Sequence, residues 1–71
     1  MKIVVNLDVM LAKRKMRLKE LAGIIGLTEQ ALSTIKTNKV KGVRFDTLVK
    51  ICNALDCQPG DLLEFVKDKD N

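Results

Sequence analysis

Residues 18–37 read LKELAGIIGLTEQALSTIKT, and their pattern predicts two short helices joined by a tight turn. Apolar side chains recur at helical spacing along one side of each helix. These side chains are Leu21, Ala22, Ile25, Leu32 and Ile35. Gly26 predicts the end of the first helix, because glycine adopts a positive φ at the least cost. Thr28 predicts the start of the second, because its hydroxyl can accept a hydrogen bond from a backbone amide.

The sequence on either side predicts three more helices and two terminal strands. Helical spacing favours a helix from about residue 7, capped by Asn6 or Asp8, to about residue 15, and another from about Phe45 to residue 55. Pro59 suits the first turn of a short helix over 59–63. The β-branched run at 3–5 predicts a strand over about 1–6, and a second strand is expected over about 64–67. We expect these strands to pair antiparallel, within one chain or between two.

The predicted fold is therefore all-α: a five-helix, repressor-like bundle with short N- and C-terminal strands, forming one domain over residues 1–71. Its core is expected to hold the aliphatic stripe of each helix. Besides the residues named above, the expected core members are Leu7, Met10, Leu11, Ala31, Leu48, Val49, Ile51, Cys52 and Leu55.

Composition argues against several classes of function. The chain has 71 residues, 46% of them hydrophobic, which allows one dense core and no deep substrate pocket. It has no histidine and only two cysteines, Cys52 and Cys57, so neither a zinc site nor catalysis is expected. No cofactor, metal or small-molecule substrate is expected. The sequence shows no membrane span and no signal peptide, which favours the cytoplasm.

Positive charge is concentrated in one part of the chain. Residues 36–44 contain four basic side chains and no acid, within a formal net charge of +4. Such segregation favours one positive face for a polyanion. The basic residues 13–15 and Lys67 are instead expected on a solvated face.

A pair of short helices joined by a three-residue, glycine-containing turn is the unit that many proteins use to place a helix in the DNA major groove. Residues 18–37 have this arrangement, and the chain resembles the phage-repressor/Cro-type (XRE-type) helix-turn-helix family over residues 7–63. Residues 46–64, DTLVKICNALDCQPGDLLE, match the pattern of a compact subgroup in which a short strand precedes the first helix.

The resemblance implies a recognition helix over 28–36. Its implied base-contacting residues are Thr28, Glu29, Gln30, Ser33 and Thr34, and its implied backbone-contacting residues are Lys36, Asn38, Lys39, Lys41 and Arg44. Gln30 is the best candidate for base readout, because its amide can pair with adenine N6 and N7. Thr34 could contact a thymine methyl group or a phosphate.

Two positions depart from the family pattern. Leu18 stands where many relatives have a glutamine that contacts the DNA backbone and braces the recognition helix. Glu29 puts a carboxylate where many relatives have an uncharged residue. It could accept a hydrogen bond from cytosine N4, or it could favour the start of the helix through its charge; the second role is preferred.

The expected function is sequence-specific binding of double-stranded DNA as a transcriptional regulator, a repressor that acts as a homodimer. The terminal strands, or the short helix around Leu62 and Leu63, are the expected dimer contact. The alternative is an antitoxin-type protein-interaction module, because such proteins share this fold. Only eight residues follow Leu63, which disfavours a tail that wraps a partner.

Overall fold

A computed structural model describes residues 1–39 and 41–67, and it has the predicted architecture of five helices and two short strands. The order is β1 (Lys2–Val5), α1 (Leu7–Lys13), α2 (Leu18–Ile25), α3 (Glu29–Lys36), α4 (Phe45–Leu55), α5 (Pro59–Leu62) and β2 (Leu63–Val66). The predicted all-α fold class with terminal strands is confirmed.

The core is a single cluster to which all five helices contribute. Its fully buried members are large aliphatics: Leu7, Leu21, Leu32, Ile51, Leu55 and Leu62. Burying each such side chain contributes about 1.5–3 kcal/mol. Helix α2 packs against both α3 and α4, and the small side chain of Ala22 is buried within the cluster. This packing fixes the orientation of α3 relative to the rest of the molecule.

Each of the four longer helices is followed by a residue with positive φ, and only one of these residues is a glycine. They are Lys15, Gly26, Asn38 and Asp56. Such a residue turns the chain so that the next amides can reach back to the last carbonyls of the helix. After α3, for example, the Lys39 amide donates to the Thr34 carbonyl at 3.0 Å. Gly26, with φ of 76°, confirms the predicted turn.

The two strands pair antiparallel within one chain, which confirms the predicted pairing of the termini. Lys2 lies opposite Val66, and Val5 lies opposite Leu63. The Asn6 amide extends the ladder by donating to the Leu62 carbonyl at 2.7 Å. This small sheet joins the start of α1 to the end of α5.

Two residues expected in the core are exposed. Val49 is 66% exposed, because the inward stripe of α4 is already filled by Leu48, Ile51 and Leu55 and no described segment covers the side that carries Val49. Ala31 is also exposed; it lines an open groove between α3 and the first turn of α4.

The expected side-chain cap of α1 by Asn6 does not form. Asn6 precedes the helix, but its side chain makes no capping bond; its Nδ2 donates to Glu64 Oε1 at 3.0 Å instead. The Asp8 carboxylate, inside the first turn, accepts from the neighbouring Val9 amide at 2.9 Å. Asn6 therefore links the sheet to the helix rather than capping it.

Arg14 and Leu62 also have roles that differ from those expected. Arg14 is exposed, as expected, but it is also bonded: its Nε donates to the Leu55 carbonyl at 2.7 Å and its Nη2 to the Asp56 carbonyl at 3.0 Å. These bonds satisfy the exposed carbonyls at the end of α4. Leu62, expected near a dimer contact, is only 1% exposed and belongs to the core.

Candidate nucleic-acid interface

Helix α3 is held by one apolar side and presents a polar side to solvent. Leu32 and Ile35 are its buried residues. The Thr28 hydroxyl starts the helix by accepting from the Ala31 amide at 3.1 Å. Glu29 lies in the first turn, where a negative charge favours the helix dipole. Thr28, Glu29 and Gln30 are all exposed, so the N-terminal half of α3 is open to a ligand.

Ser33 and Thr34 continue this polar side but are half-buried. The Thr34 hydroxyl donates to the Gln30 carbonyl at 2.9 Å. Because a phosphate oxygen only accepts hydrogen bonds, Thr34 would have to break this bond to contact one. The observed geometry therefore favours an apolar contact through the Thr34 methyl group, which is a known way of reading thymine.

The basic residues lie where α3 ends and α4 begins. Lys36 occupies the last turn of α3, where a positive charge favours the helix dipole, and Lys39 is exposed just beyond it. Lys41 lies beside β1, in a hollow that Ile3 also lines. These side chains form a positive edge next to the C-terminal half of α3.

Arg44 and Thr34 line the same groove, of about 350 Å³, between α3 and the first turn of α4. Arg44 Nε lies 3.3 Å from Asp46 Oδ1, and both side chains are exposed. An exposed ion pair of this kind is worth at most about 1 kcal/mol. Asp46 therefore holds Arg44 only weakly, and its guanidinium is free to turn towards an anion.

Asn38 has a structural contact that the sequence did not indicate. Its Oδ1 accepts from the Val5 amide at 2.6 Å, and its Nδ2 donates to the Val5 carbonyl at 3.3 Å. The side chain thus pairs with β1 as a neighbouring strand would. Because both ends of the amide are engaged, Asn38 is better suited to hold the end of α3 against the sheet than to bind a phosphate.

Leu18, at the start of α2, is half-buried and packs against the core. An aliphatic side chain in this place cannot make the polar backbone contact that a glutamine makes in many relatives. The first turn of α2 is instead closed by the Arg17 amide, which donates to Glu20 Oε1 at 3.3 Å.

The two cysteines are free thiols, half-buried at the end of α4 and just beyond it. Burial is the main reason that the pKa of the Cys57 thiol is raised, and the neighbouring Cys52 raises it further. At neutral pH Cys57 is therefore a protonated thiol and a poor nucleophile. Within residues 1–39 and 41–67, no helix is long and apolar enough to cross a bilayer.

Comparison with known proteins places this chain among helix-turn-helix DNA-binding proteins. Residues 6–68 match the family model of the Cro/C1-type helix-turn-helix DNA-binding domain. The chain is 53% identical, over 70 residues, to an uncharacterized helix-turn-helix-type transcriptional regulator, YozG, of Bacillus subtilis (strain 168). This alignment covers 99% of this chain and 83% of that one.

Two solved structures have a similar fold. One is a candidate DNA-binding protein from Bacteroides fragilis, with a TM-score of 0.80, 27% identity, and coverage of 89% of this chain and all of that one. The other is the transcriptional regulator VanUg, with a TM-score of 0.75, 25% identity, and coverage of 94% of this chain and 88% of that one.

Proposed function

This chain belongs to the Cro/C1-type helix-turn-helix family of DNA-binding transcriptional regulators, and on that premise we propose that it is a dimeric repressor. In this proposal each protomer places α3 in the major groove of one half of a palindromic site. The observation that carries the proposal is the polar, exposed side of α3, anchored from behind by Leu32 and Ile35 and followed by a basic segment. A protein bound to chromosomal DNA would act in the cytoplasm.

Base readout is assigned to Gln30, with Thr28, Ser33 and Thr34 beside it. A glutamine amide offers one donor and one acceptor, which match N7 and N6 of adenine. Glu29 is assigned to the helix start, because its carboxylate lies in the first turn of α3, although acceptance from cytosine N4 is also open to it.

Backbone contact is assigned to Lys36, Lys39, Lys41 and Arg44. Such contacts position a protein on the duplex but carry little sequence information. Asn38 contributes indirectly, because its bonds to Val5 fix the chain direction between Lys36 and Lys39.

Two protomers are proposed because one short helix reads few base pairs. A two-fold dimer presents two recognition helices about one duplex turn apart, which doubles the length of sequence that is read. Occupancy of such a site would block transcription by competition for the DNA.

Changing Gln30 to Ala should cost about 1–3 kcal/mol per half-site on the preferred duplex and relax the preference at one base position. The Gln30 side chain is exposed, so its removal should leave the fold intact. The measurement is a titration of fluorescent duplexes, with the wild-type chain and the variant compared at one salt concentration.

A duplex of unrelated sequence serves as the control, because only phosphate contacts act there. The variant should bind that duplex as the wild type does. Equal losses on both duplexes would mean that Gln30 does not read bases.

A further inference from the structure

The structure exposes an apolar surface that the DNA interface does not use. It consists of Ile3 and Phe65 on the sheet and of Phe45 and Val49 on α4, which we call the dimer face. These residues are 56%, 58%, 83% and 66% exposed, respectively. We propose that the dimer face is covered by the same face of a second copy of this chain. The inference rests on the proposed function, whose two-fold dimer it locates.

The sheet contributes one half of this face. Ile3 lies directly opposite Phe65 in the antiparallel register, so the two side chains lie on the same side of the sheet. Val5 and Leu63 share that side, because they lie two residues further along each strand, and they are half-buried against the core. Ile3 and Phe65 therefore extend the core outwards to a surface that no other described residue closes.

Helix α4 contributes the other half. Phe45 and Val49 are four residues apart and so lie on one side of the helix, one above the other. Arg44 and Thr47 lie on a different side, where they line the groove next to α3. The dimer face thus lies on a different side of α4 from that groove, so a second copy seated there leaves α3 accessible. Lys41, a proposed phosphate contact, borders the face because it lines the hollow between Ile3 and Phe45.

The shape of the surface favours self-association. Phe45 stands between two hollows, one of about 230 Å³ towards the sheet and one of about 670 Å³ along α4. Phe45, Leu48 and Leu63 line both, and Cys52 and Pro59 line the larger one. A two-fold interface brings the same patch of both subunits together. The Phe45 side chain of each subunit can therefore enter a hollow on the other subunit.

The exposed apolar area is of the size that a stable dimer needs. At about 200 Å² for a whole phenylalanine, Phe45 and Phe65 alone expose roughly 280 Å². A standard interface buries about 800 Å² per partner, and about 65% of a homodimer interface is apolar, which is roughly 500 Å². Val49 and Ile3 supply much of the difference. The exposed apolar area is therefore adequate for the apolar part of a dimer interface.

Charge also favours a second copy on this side. The protein has a formal net charge of +4, and two copies that met through the basic edge would repel each other and hide their DNA contacts. The four residues of the dimer face are uncharged, and the exposed side chains around them carry both signs: Asp46 and Glu64 are negative, and Lys41 and Lys50 are positive. Contact there brings less like charge together than contact through the basic edge would.

Sedimentation equilibrium on the full chain tests the proposal. The test variant is Phe45→Gln combined with Val49→Gln, which keeps the charge and uses a good helix former. The matched control is Ile24→Gln, because Ile24 is 60% exposed on α2 and lies outside the dimer face. The wild type should be a dimer, free and on DNA. The double substitution should raise the dimer dissociation constant about 30-fold or more, and the control should change it about two-fold at most.

The outcomes separate this inference from the proposed function. A wild-type chain that is monomeric both in the absence of DNA and when bound to DNA overturns the inference. The surface would then be a binding site for a different protein, as the antitoxin-type alternative requires. A double variant that dimerises as tightly as the wild type also overturns the inference. A wild-type dimer that the double substitution disrupts supports the inference. If that wild-type dimer binds no duplex DNA, only the proposed function is overturned.

Discussion

Raising the salt concentration from about 50 mM to about 200 mM should weaken duplex binding by the dimer about 10⁴-fold. The expectation follows from four phosphate contacts per protomer, made by Lys36, Lys39, Lys41 and Arg44. Each contact releases counterions from the DNA, so the logarithm of the affinity falls linearly with the logarithm of the salt concentration, at about −0.9 per contact. The measurement is a series of titrations of one duplex at four or more salt concentrations.

Lys39→Ala should reduce the slope by about 0.9 for each protomer bound, and it should weaken all sequences alike. Lys13→Ala is the matched control: Lys13 is an exposed lysine at the end of α1 and is not among the proposed phosphate contacts, so its removal should leave the slope unchanged. A slope that Lys39→Ala does not alter would remove this residue from the interface.

Leu32→Ala should lower the free energy of unfolding by about 2–5 kcal/mol, through lost apolar burial and the cavity left behind. Leu32 is completely buried and belongs to the core cluster. Small domains have only about 5–15 kcal/mol of stability in total, so the loss is a large fraction. Because Leu32 also anchors α3, DNA binding should fall in parallel. Denaturant unfolding followed by circular dichroism measures the change.

Val49→Ala is the control for this substitution, because Val49 was expected in the core but is mostly exposed. Its cost in the isolated protomer should stay within about 0.5 kcal/mol. Unfolding is therefore measured at a protein concentration below the dimer dissociation constant. Equal losses for Leu32→Ala and Val49→Ala would contradict the observed burial of α3 and α4.

The sequence was sufficient to predict the helix pair because its signals are local. Gly26 and Thr28 act within one turn of their own positions, the glycine through its positive φ and the threonine through its bond to the Ala31 amide. The pairing of the terminal strands was also predictable. Residues 3–5 are β-branched and Phe65 and Val66 favour a strand at the other end, and a single short strand at each end needs a partner.

The remaining features depend on residues that are distant in sequence. Asn38 bonds to Val5, 33 positions away, and Arg14 bonds to Leu55, 41 positions away. Nothing in the neighbouring sequence distinguishes these two from solvated polar residues. The positive φ of Lys15 also lacks a local signal, because lysine has no preference for that conformation.

The exposed side of α4 shows that helical spacing alone does not predict which residues of a helix are buried. Val49 lies beside Leu48 and one turn after Phe45, so spacing alone makes it a plausible core residue. Whether it is buried depends on which element packs against that side of α4, and helical periodicity does not contain this information. The same holds for Ala31 in α3. Both residues line surfaces that only the tertiary arrangement defines.

The polar side of α3 was predictable as a candidate DNA contact, but the state of each side chain on it was not. The Gln30 side chain is exposed and makes no hydrogen bond to another described residue, whereas the Thr34 hydroxyl is already bonded to the Gln30 carbonyl. Such local bonds depend on backbone geometry and decide which contacts a side chain can still offer.

Selection of binding sites from random duplexes, with the wild-type chain and with Gln30→Ala, tests the central claim most directly. We expect an enriched palindrome whose half-sites have centres about 10 base pairs apart, one duplex turn. Gln30→Ala should lose the preference at one position in each half-site. Enrichment of no sequence by the wild type, with equal affinity for all duplexes, would contradict the claim that α3 reads DNA sequence.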